Sequence, residues 1–539
     1  MYWADELAAN AGGPQVVSDS KTPSGTIHVG SFRGPILVDA IWRALRERGV
    51  DAQATYGVDD MDPMDAQALL TPDAVDRYMG VPLAHVPAPA GSGASSYARH
   101  FAGQFLDTFA GLGFHPYVFW MSELYASGAM DPFLRIALDR ADRVREIYER
   151  VANVHHPREW HPISLVCESC GKVGTTIVLE WDGSRVRYEC RPDLVTWAHG
   201  CGHGGRVSPF GGRSKLPWNL EWAAQWSYLG VTIEPSGKDL STKGGSRDRS
   251  DAIAREVFDR EPPLNVPYEF LNIGGRKMST SKGRGATAHE MAEVLPPELV
   301  RFLFLRHRPN HALDFDPSGD TIPRLFDEYD RIADATAGRE VRGELPPDPD
   351  RIFKVCQLDP DTDAAAEASR YRPPFGHLAL LGQVPGVDVV ERFAAEKGET
   401  LDAAELSILE ARRRAARAWL EHWAPERARL VVHRSAPPAE VAALSDEQRI
   451  YLGGLALAAE REGPASGEAW QNLVFRVAQE AAMPAGRAFG ALYIAFLGRT
   501  NGPRAGWLLA ALPAEFVIGR LRKAAGWRAS PEGAAEGSA

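Results

Sequence analysis

The chain has 539 residues, 44% of them hydrophobic and 24% charged, with a formal net charge of −11. That length exceeds one domain and predicts three or four packed units. The acidic balance excludes indiscriminate coating of nucleic acid but not a local basic face, because screening confines phosphate attraction to about 10 Å. No stretch approaches the ~20 apolar residues that span a bilayer, so no membrane partner is expected. The start, Met1-Tyr2-Trp3-Ala4-Asp5-Glu6, lacks the basic and apolar regions of a secretory signal, so the expected address is cytoplasmic.

In chain order, Gln15-Val16-Val17-Ser18 is a short apolar run that leads through Thr22-Pro23-Ser24-Gly25 into Ile27-His28-Val29-Gly30. A helical pattern follows from about Gly34 to Arg48 and stops at Gly49, and Ala52 to Val58 is a second strand candidate. Strand, turn, helix and strand at this spacing predict a βαβ unit of an open parallel sheet, whose ligands bind at the carboxyl ends of the strands. Thr22 to Ser31 and Asp59-Asp60-Met61-Asp62 then share one rim. Residues 166–214 break the pattern with short strands, paired cysteines and many glycines, as an insertion would. The α/β pattern resumes near Trp222 and is interrupted by a Gly-Arg-Lys-rich loop at Gly274 to Gly285. From about Leu325 onward, Ala, Leu, Glu and Arg recur at helical spacing, as in Ala403 to Leu420, and residues 529–539 form a Gly/Ala/Ser/Glu tail expected to be disordered.

Four of the five cysteines, Cys167, Cys170, Cys190 and Cys201, fall in one window, and Cys356 stands apart. Cys167-Glu168-Ser169-Cys170 is a CxxC knuckle, and four thiolates suit tetrahedral zinc in a structural role. Cys190 and Cys201 are more widely spaced than a second CxxC, and His199 and His203 flank Cys201, so a mixed site stays open beside the four-thiolate one. A ribbon that has partly lost its metal is the third reading.

Two segments carry the chemistry. In Thr22 to Ser31, Gly25 and Gly30 let a nucleotide approach the backbone where a helix begins, the helix start favours anions, and His28 can donate to a phosphate oxygen. In Gly274-Gly275-Arg276-Lys277-Met278-Ser279-Thr280-Ser281-Lys282-Gly283, two lysines and two serines on a glycine-flanked loop suit a triphosphate. Either alone reads as a structural histidine or a solvated basic loop; together, about 250 residues apart on a parallel α/β chain, they point to nucleotide chemistry.

His28-Val29-Gly30-Ser31 resembles the HIGH motif and Lys277-Met278-Ser279-Thr280-Ser281 the KMSKS motif of class I aminoacyl-tRNA synthetases. In detail the chain resembles the class I lysyl-tRNA synthetases. Landmarks in order include Trp3-Ala4-Asp5, Ser122-Glu123-Leu124-Tyr125, Lys215-Leu216-Pro217-Trp218, Gly237-Lys238-Asp239, Val266-Pro267-Tyr268-Glu269 and Gly502-Pro503-Arg504-Ala505-Gly506. The resemblance covers nearly the whole chain. It implies a Rossmann-like parallel-sheet α/β catalytic domain with a zinc-ribbon-like insertion, followed by an all-α anticodon-binding region. The corresponding division is 1–165 and 215–325 for the two halves of the catalytic domain, 166–214 for the insertion, and 326–528 for the helical region.

The activity implied is ligation of L-lysine to tRNA through a lysyl-adenylate, with ATP and Mg²⁺ consumed together and AMP and pyrophosphate released. The resemblance assigns His28, Lys277 and Lys282 to catalysis. It places ATP against Gly25, His28, Gly30, Ser31, Asp239, Lys277, Met278, Ser279 and Ser281. It lines the amino-acid pocket with Thr22, Asp60, Trp218, Tyr268 and Glu269, with Glu221 a further candidate. An aromatic wall plus a carboxylate suits a desolvated ammonium. Arg412-Arg413-Arg414 is a candidate phosphate contact, or else a solvated helix face. The family commonly has glycine at the position of Ser20, an apolar residue at Lys21 and histidine at Leu240. A lysine near a cationic substrate repels it unless Lys21 points away. A paralogue that activates a lysine-like amino acid therefore stands as the second reading, and a tRNA-binding protein without synthetase activity as the third.

Overall fold

The apolar run at Gln15 begins a longer strand, β1, spanning Gln15–Lys21. It pairs in parallel with β2, Ala52–Val58, in unbroken register from Gln15↔Ala52 to Lys21↔Val58. The helix Arg33–Glu47 makes the crossover and buries Ile36, Leu37, Ile41 and Leu45. Gly49, at φ +76°, turns the chain out of that helix, in a left-handed conformation that favours glycine. Strand β3, Tyr117–Trp120, adds beyond β2.

Two short strands, β4 (Ser164–Leu165) and β8 (Ser214–Lys215), pair antiparallel at the base of the cysteine-bearing insertion. Between them β5 (Thr176–Trp181), β6 (Val186–Cys190) and β7 (Gly204–Val207) form an antiparallel three-stranded sheet. The insertion is not a free lobe. Val173 and Gly174 both donate backbone bonds to the Gly80 carbonyl, at 2.7 and 3.0 Å. The Lys172 ammonium bonds the Asp76 and His199 carbonyls, each at 2.9 Å.

After the insertion, helix Trp218–Leu229 leads to β9, Ile233–Gly237, and helix Ser246–Glu256 to β10, Leu264–Tyr268. The central sheet has the order β10-β9-β1-β2-β3, all parallel. The chain moves outward one way from β1 and later returns on its other side. The crevice at the carboxyl ends of β1 and β9 is therefore a topological switch point, where such sheets bind ligands. A small sheet follows: β11 (Leu271–Ile273) pairs antiparallel with β12 (Arg276–Lys277) and parallel with β13 (Leu313–Asp314).

The computed structural model describes residues 1–65, 71–273, 276–277, 291, 294–384, 387–429, 432–433 and 436–526. It forms two units: Met1–Ala292, Pro297–Asp316 and Ile332–Ala368 make the first, and Glu293–Pro296, Pro317–Arg331 and Ser369–Ala539 the second. Among the described residues, the first contains all the strands. Within it, Asp39 holds two arginines, Arg43 at 2.8 Å and Arg301 at 2.5 Å, and all three side chains are almost wholly buried. The arginines also donate to the carbonyls of Val355 and Gln357, which anchors helix Pro349–Cys356 and buries Cys356. A buried charge cluster persists only when its donors are satisfied, and here carbonyls complete the set.

The second unit is helical. Helices Ala403–His422 and Asp446–Glu462 each begin with a reciprocal capping box, Asp402 with Glu405 and Ser445 with Gln448. Leu452, Leu455, Val474, Ala491, Phe496 and Leu521 form its core. Gly506 lies so close to another helix that an added Cβ would sit 2.2 Å from the Gly467 carbonyl oxygen. Arg412 is no phosphate contact: it is buried and bonds Asp330 and the Pro373 carbonyl, while Arg413 and Arg414 are exposed. Among the described residues no helix is long and apolar enough to cross a membrane.

Candidate active site

A cavity of about 420 Å³ opens at the carboxyl ends of β1, β9 and β10. From the first motif it takes Thr22, Ser24, His28, Gly30 and Ser31; from β1, Asp19, Ser20 and Lys21; from later segments, Trp218, Trp222, Glu234, Asp239, Leu240, Tyr268 and Glu269. Residues up to about 250 positions apart in sequence thus face one space. The His28-Val29-Gly30-Ser31 segment enters the cavity as a short 3₁₀ turn, Val29–Phe32, that runs into helix Arg33–Glu47. His28 stands just before the turn, where its carbonyl accepts from the Ser31 amide at 3.0 Å. Gly25, buried and at φ +152°, shapes the approach without lining the cavity.

Leu271 of β11 also lines the cavity, and β11 is hydrogen-bonded to β12 with Asn272 opposite Lys277. The backbone at Lys277 is therefore rooted at the cavity rim. Met278, Ser279, Ser281 and Lys282 lie outside the described residues.

Much of the polar lining is already engaged. The Thr22 hydroxyl donates to Asp62 at 2.5 Å, and Lys215 pairs with Asp62 and, at 3.2 Å, with Glu221. Asp59 accepts from the Ser20 hydroxyl at 3.0 Å and the Gln225 amide at 2.8 Å. Asp60 is not part of the lining: its carboxylate accepts from the Ser122 amide at 2.7 Å and hydroxyl at 2.5 Å. Glu221 is fully buried behind Lys215 and Tyr125 and likewise does not face the cavity. The carboxylate of Glu269 pairs with Lys238.

Trp218 stacks on Trp222 with ring centres 5.0 Å apart. Behind them Glu234 accepts from the indoles of Trp222, at 2.9 Å, and Trp226. Burial pushes its carboxyl up to about 8, against the pull of Arg247. Burial also raises Asp19 to about 7 and Asp59 to about 6, and it lowers the Lys21 ammonium. Raised carboxyls beside a lowered lysine describe a site poorly reached by water.

Lys21 lines this cavity, on the same face of β1 as Asp19. Leu240 lines it too. The lining residues that sequence reasoning missed include Asp19, Arg33, Tyr56, Trp222 and Glu234. Asp19 had a readable signal, because residues two apart on a strand share a face and Asp19 precedes Lys21 by two.

The thiolate cluster is separate. The sulfurs of Cys167, Cys170, Cys190 and Cys201 all lie within 4.8 Å of one another, with Cys167–Cys201 at 3.6 Å and Cys170–Cys190 at 3.7 Å. Tetrahedral zinc with Zn–S bonds of about 2.3 Å separates its sulfurs by about 3.8 Å, so this donor set fits that ion. Gly171 and Gly202, at φ +73° and +79°, turn the backbone beside Cys170 and Cys201. The grouping of possible ligands contains neither His199 nor His203.

The family model described as tRNA synthetases class I (K) matches residues 2–357. The chain belongs to this family. Its similarity to individual synthetases extends past the matched region. It is 34% identical to "Lysine--tRNA ligase 1" of Methanosarcina acetivorans, over 97% of this chain and 98% of that one. It is 33% identical to the "Lysine--tRNA ligase" of Archaeoglobus fulgidus, over 97% and 100%, and 32% identical to that of Pyrococcus horikoshii, over 97% and 98%. As a class I synthetase the protein is a ligase, and the cavity at the switch point of its sheet lies inside the matched segment.

Proposed function

We propose that this synthetase activates L-lysine with ATP and transfers it to tRNA. The observation that carries the reading is the single cavity lined both by His28, Gly30 and Ser31 and by the aromatic wall of Trp218 and Tyr268, with the Lys277 backbone at its rim. Full-length similarity to lysine–tRNA ligases supports lysine over a lysine-like amino acid, and retention of both motifs disfavours a non-catalytic tRNA binder.

In this reading ATP lies along the helix start, with Gly30 against the nucleoside and His28 and Ser31 toward the phosphates. Asp239 contributes from the far wall. Lys277 and the loop after it, with Ser279, Ser281 and Lys282, neutralise the leaving pyrophosphate beside the Mg²⁺ that ATP brings. The lysine carboxylate attacks the α-phosphorus, so the enzyme's task is to position two anions and stabilise charge on the departing group. No covalent bond to the protein forms. The lysine side chain runs toward Trp218, Trp222 and Tyr268, with the buried Glu234 carboxyl behind the rings. The adenylate is then attacked by the terminal ribose of tRNA, whose distal parts contact the helical unit. The four cysteines hold a structural zinc ion that stiffens the insertion.

ATP–pyrophosphate exchange with each amino acid tests the reading. Exchange is expected with lysine, and H28A and K277A are expected to lower it by about 10²–10³-fold. Exchange that ignores lysine overturns the substrate assignment.

A further inference from the structure

The charges lining the cavity fall into two groups. Most are engaged: Arg33 donates to the carbonyls of Phe270, Pro309 and His311 at 3.3, 2.9 and 2.7 Å. Asp59, Glu234 and Glu269 have the partners described above, and Asp239 and His28 are likewise engaged. Two charges stand out. The Asp19 carboxylate accepts only the adjacent Ser20 amide, at 2.9 Å, through one oxygen, and the Lys21 ammonium has no hydrogen bond or ion pair with any described residue, although the Lys21 carbonyl accepts from the Asp59 amide at 3.1 Å. Each attracts the other, yet they do not close into an ion pair.

Residues two apart on β1 share a face, and their Cα atoms are separated by about 6.6 Å. A carboxyl and an amine are thus held side by side on one face of the strand, and both residues line the cavity. The second Asp19 oxygen is lodged where only glycine fits, since a Cβ on Gly34 would lie 2.2 Å from it. This carboxylate is built in at the start of helix Arg33–Glu47.

We propose that Asp19 and Lys21 form a clamp for the zwitterionic head group of the amino acid, Asp19 receiving the α-ammonium and Lys21 the α-carboxylate. The proposal rests on the synthetase reading of this cavity. A lysine substrate has two positive ends and one negative, and among the described lining residues Lys21 is the cation left for that carboxylate. The side-chain ammonium has a different environment, the indoles backed by Glu234. A cation at position 21 therefore need not repel the substrate: it faces the end that carries negative charge. It also holds the nucleophilic carboxylate in a fixed orientation toward ATP.

The test compares K21M and D19N with the wild-type chain in ATP–pyrophosphate exchange, with L-lysinamide and 6-aminohexanoate as competitive inhibitors. K21M is expected to raise the lysine KM at least about tenfold, with the ATP KM unchanged and lysinamide inhibition unchanged, because the amide carries no carboxylate charge. D19N should raise the lysine KM and leave inhibition by 6-aminohexanoate, which lacks the α-ammonium, unchanged. K21R should restore much of the loss, and thermal melting checks that each variant is folded. An unaltered lysine KM in K21M, or equal weakening of lysine and lysinamide, overturns the clamp. If another amino acid drives wild-type exchange, the lysine assignment fails while the clamp makes the same prediction for that amino acid and its amide. If no amino acid drives exchange, both fail.

Discussion

At Asp19 the fold holds a carboxyl whose ionised form is disfavoured by burial, with its pKa pushed up to about 7. The folded chain therefore keeps a proton on this group at pH values where the unfolded chain, with its ordinary carboxyl value of 3.8, has released it. By linkage the cost to folding is absent near that ordinary value, builds as pH rises from it, and is complete above the folded value. D19N is accordingly expected to raise the thermal midpoint at pH 8 by at least about 2 °C, with the gain fading toward pH 4. Melting curves at the two pH values check it, and a D19N midpoint below wild type at pH 8 would refute it. The same substitution weakens amino-acid binding if the clamp is right, so stability and activity move in opposite directions.

Trp218 separates the same question from the aromatic side. W218A should raise the KM for the amino acid by about 5–30-fold with little change for ATP, as exchange kinetics will show. His28, Trp218 and Tyr268 were legible in the sequence because motif and resemblance named them. Glu234 was not, because a lone acid in a strand carries no signal until the register shows which face it shares. The opposite failure is Asp60. It lies in the Asp59-Asp60-Met61-Asp62 run at the cavity's edge, but its carboxylate is turned onto Ser122. Sequence places a residue at the end of a strand; it does not say which partner the side chain takes.

At the scale of elements, the first βαβ unit was readable almost to the residue. The strand expected at Ala52 to Val58 is β2, and the helix expected from Gly34 to Arg48 runs from Arg33 to Glu47. Periodicity and the Gly49 stop settle these because one face of each element is buried. Cysteine spacing marked the segment between β4 and β8, but not its attachment, since Val173, Gly174 and Lys172 dock through backbone carbonyls that any sequence supplies. That attachment makes the metal reading testable beyond metal content. The chain should hold one zinc ion, and C170S should lose it. Because the insertion braces residues next to the Asp59–Asp62 corner, zinc removal by a chelator should also lower the melting temperature and impair exchange. Full zinc content in C170S, measured by atomic absorption, would remove that cysteine from the ligand set.

For the molecule as a whole, each unit has a hydrophobic core of its own, and the proposed chemistry lies in only one of them. The core of the second unit includes Leu455, fully buried within helix Asp446–Glu462. L455A removes buried methyl groups and leaves a cavity, at a cost of about 2–5 kcal/mol. If the helical unit serves tRNA and the cavity serves activation, that loss should fall on one half-reaction. At a temperature where the first unit remains folded, lysine-dependent pyrophosphate exchange should stay within about twofold of wild type, while charging of tRNA falls steeply and recovers on cooling. Equal losses in the two assays would mean that the helical unit supports the activation step as well. The contrasting substitution, V17A in the fully buried centre of β1, should depress both reactions together, because it loosens the strand that carries Asp19, Lys21 and Thr22 to the cavity.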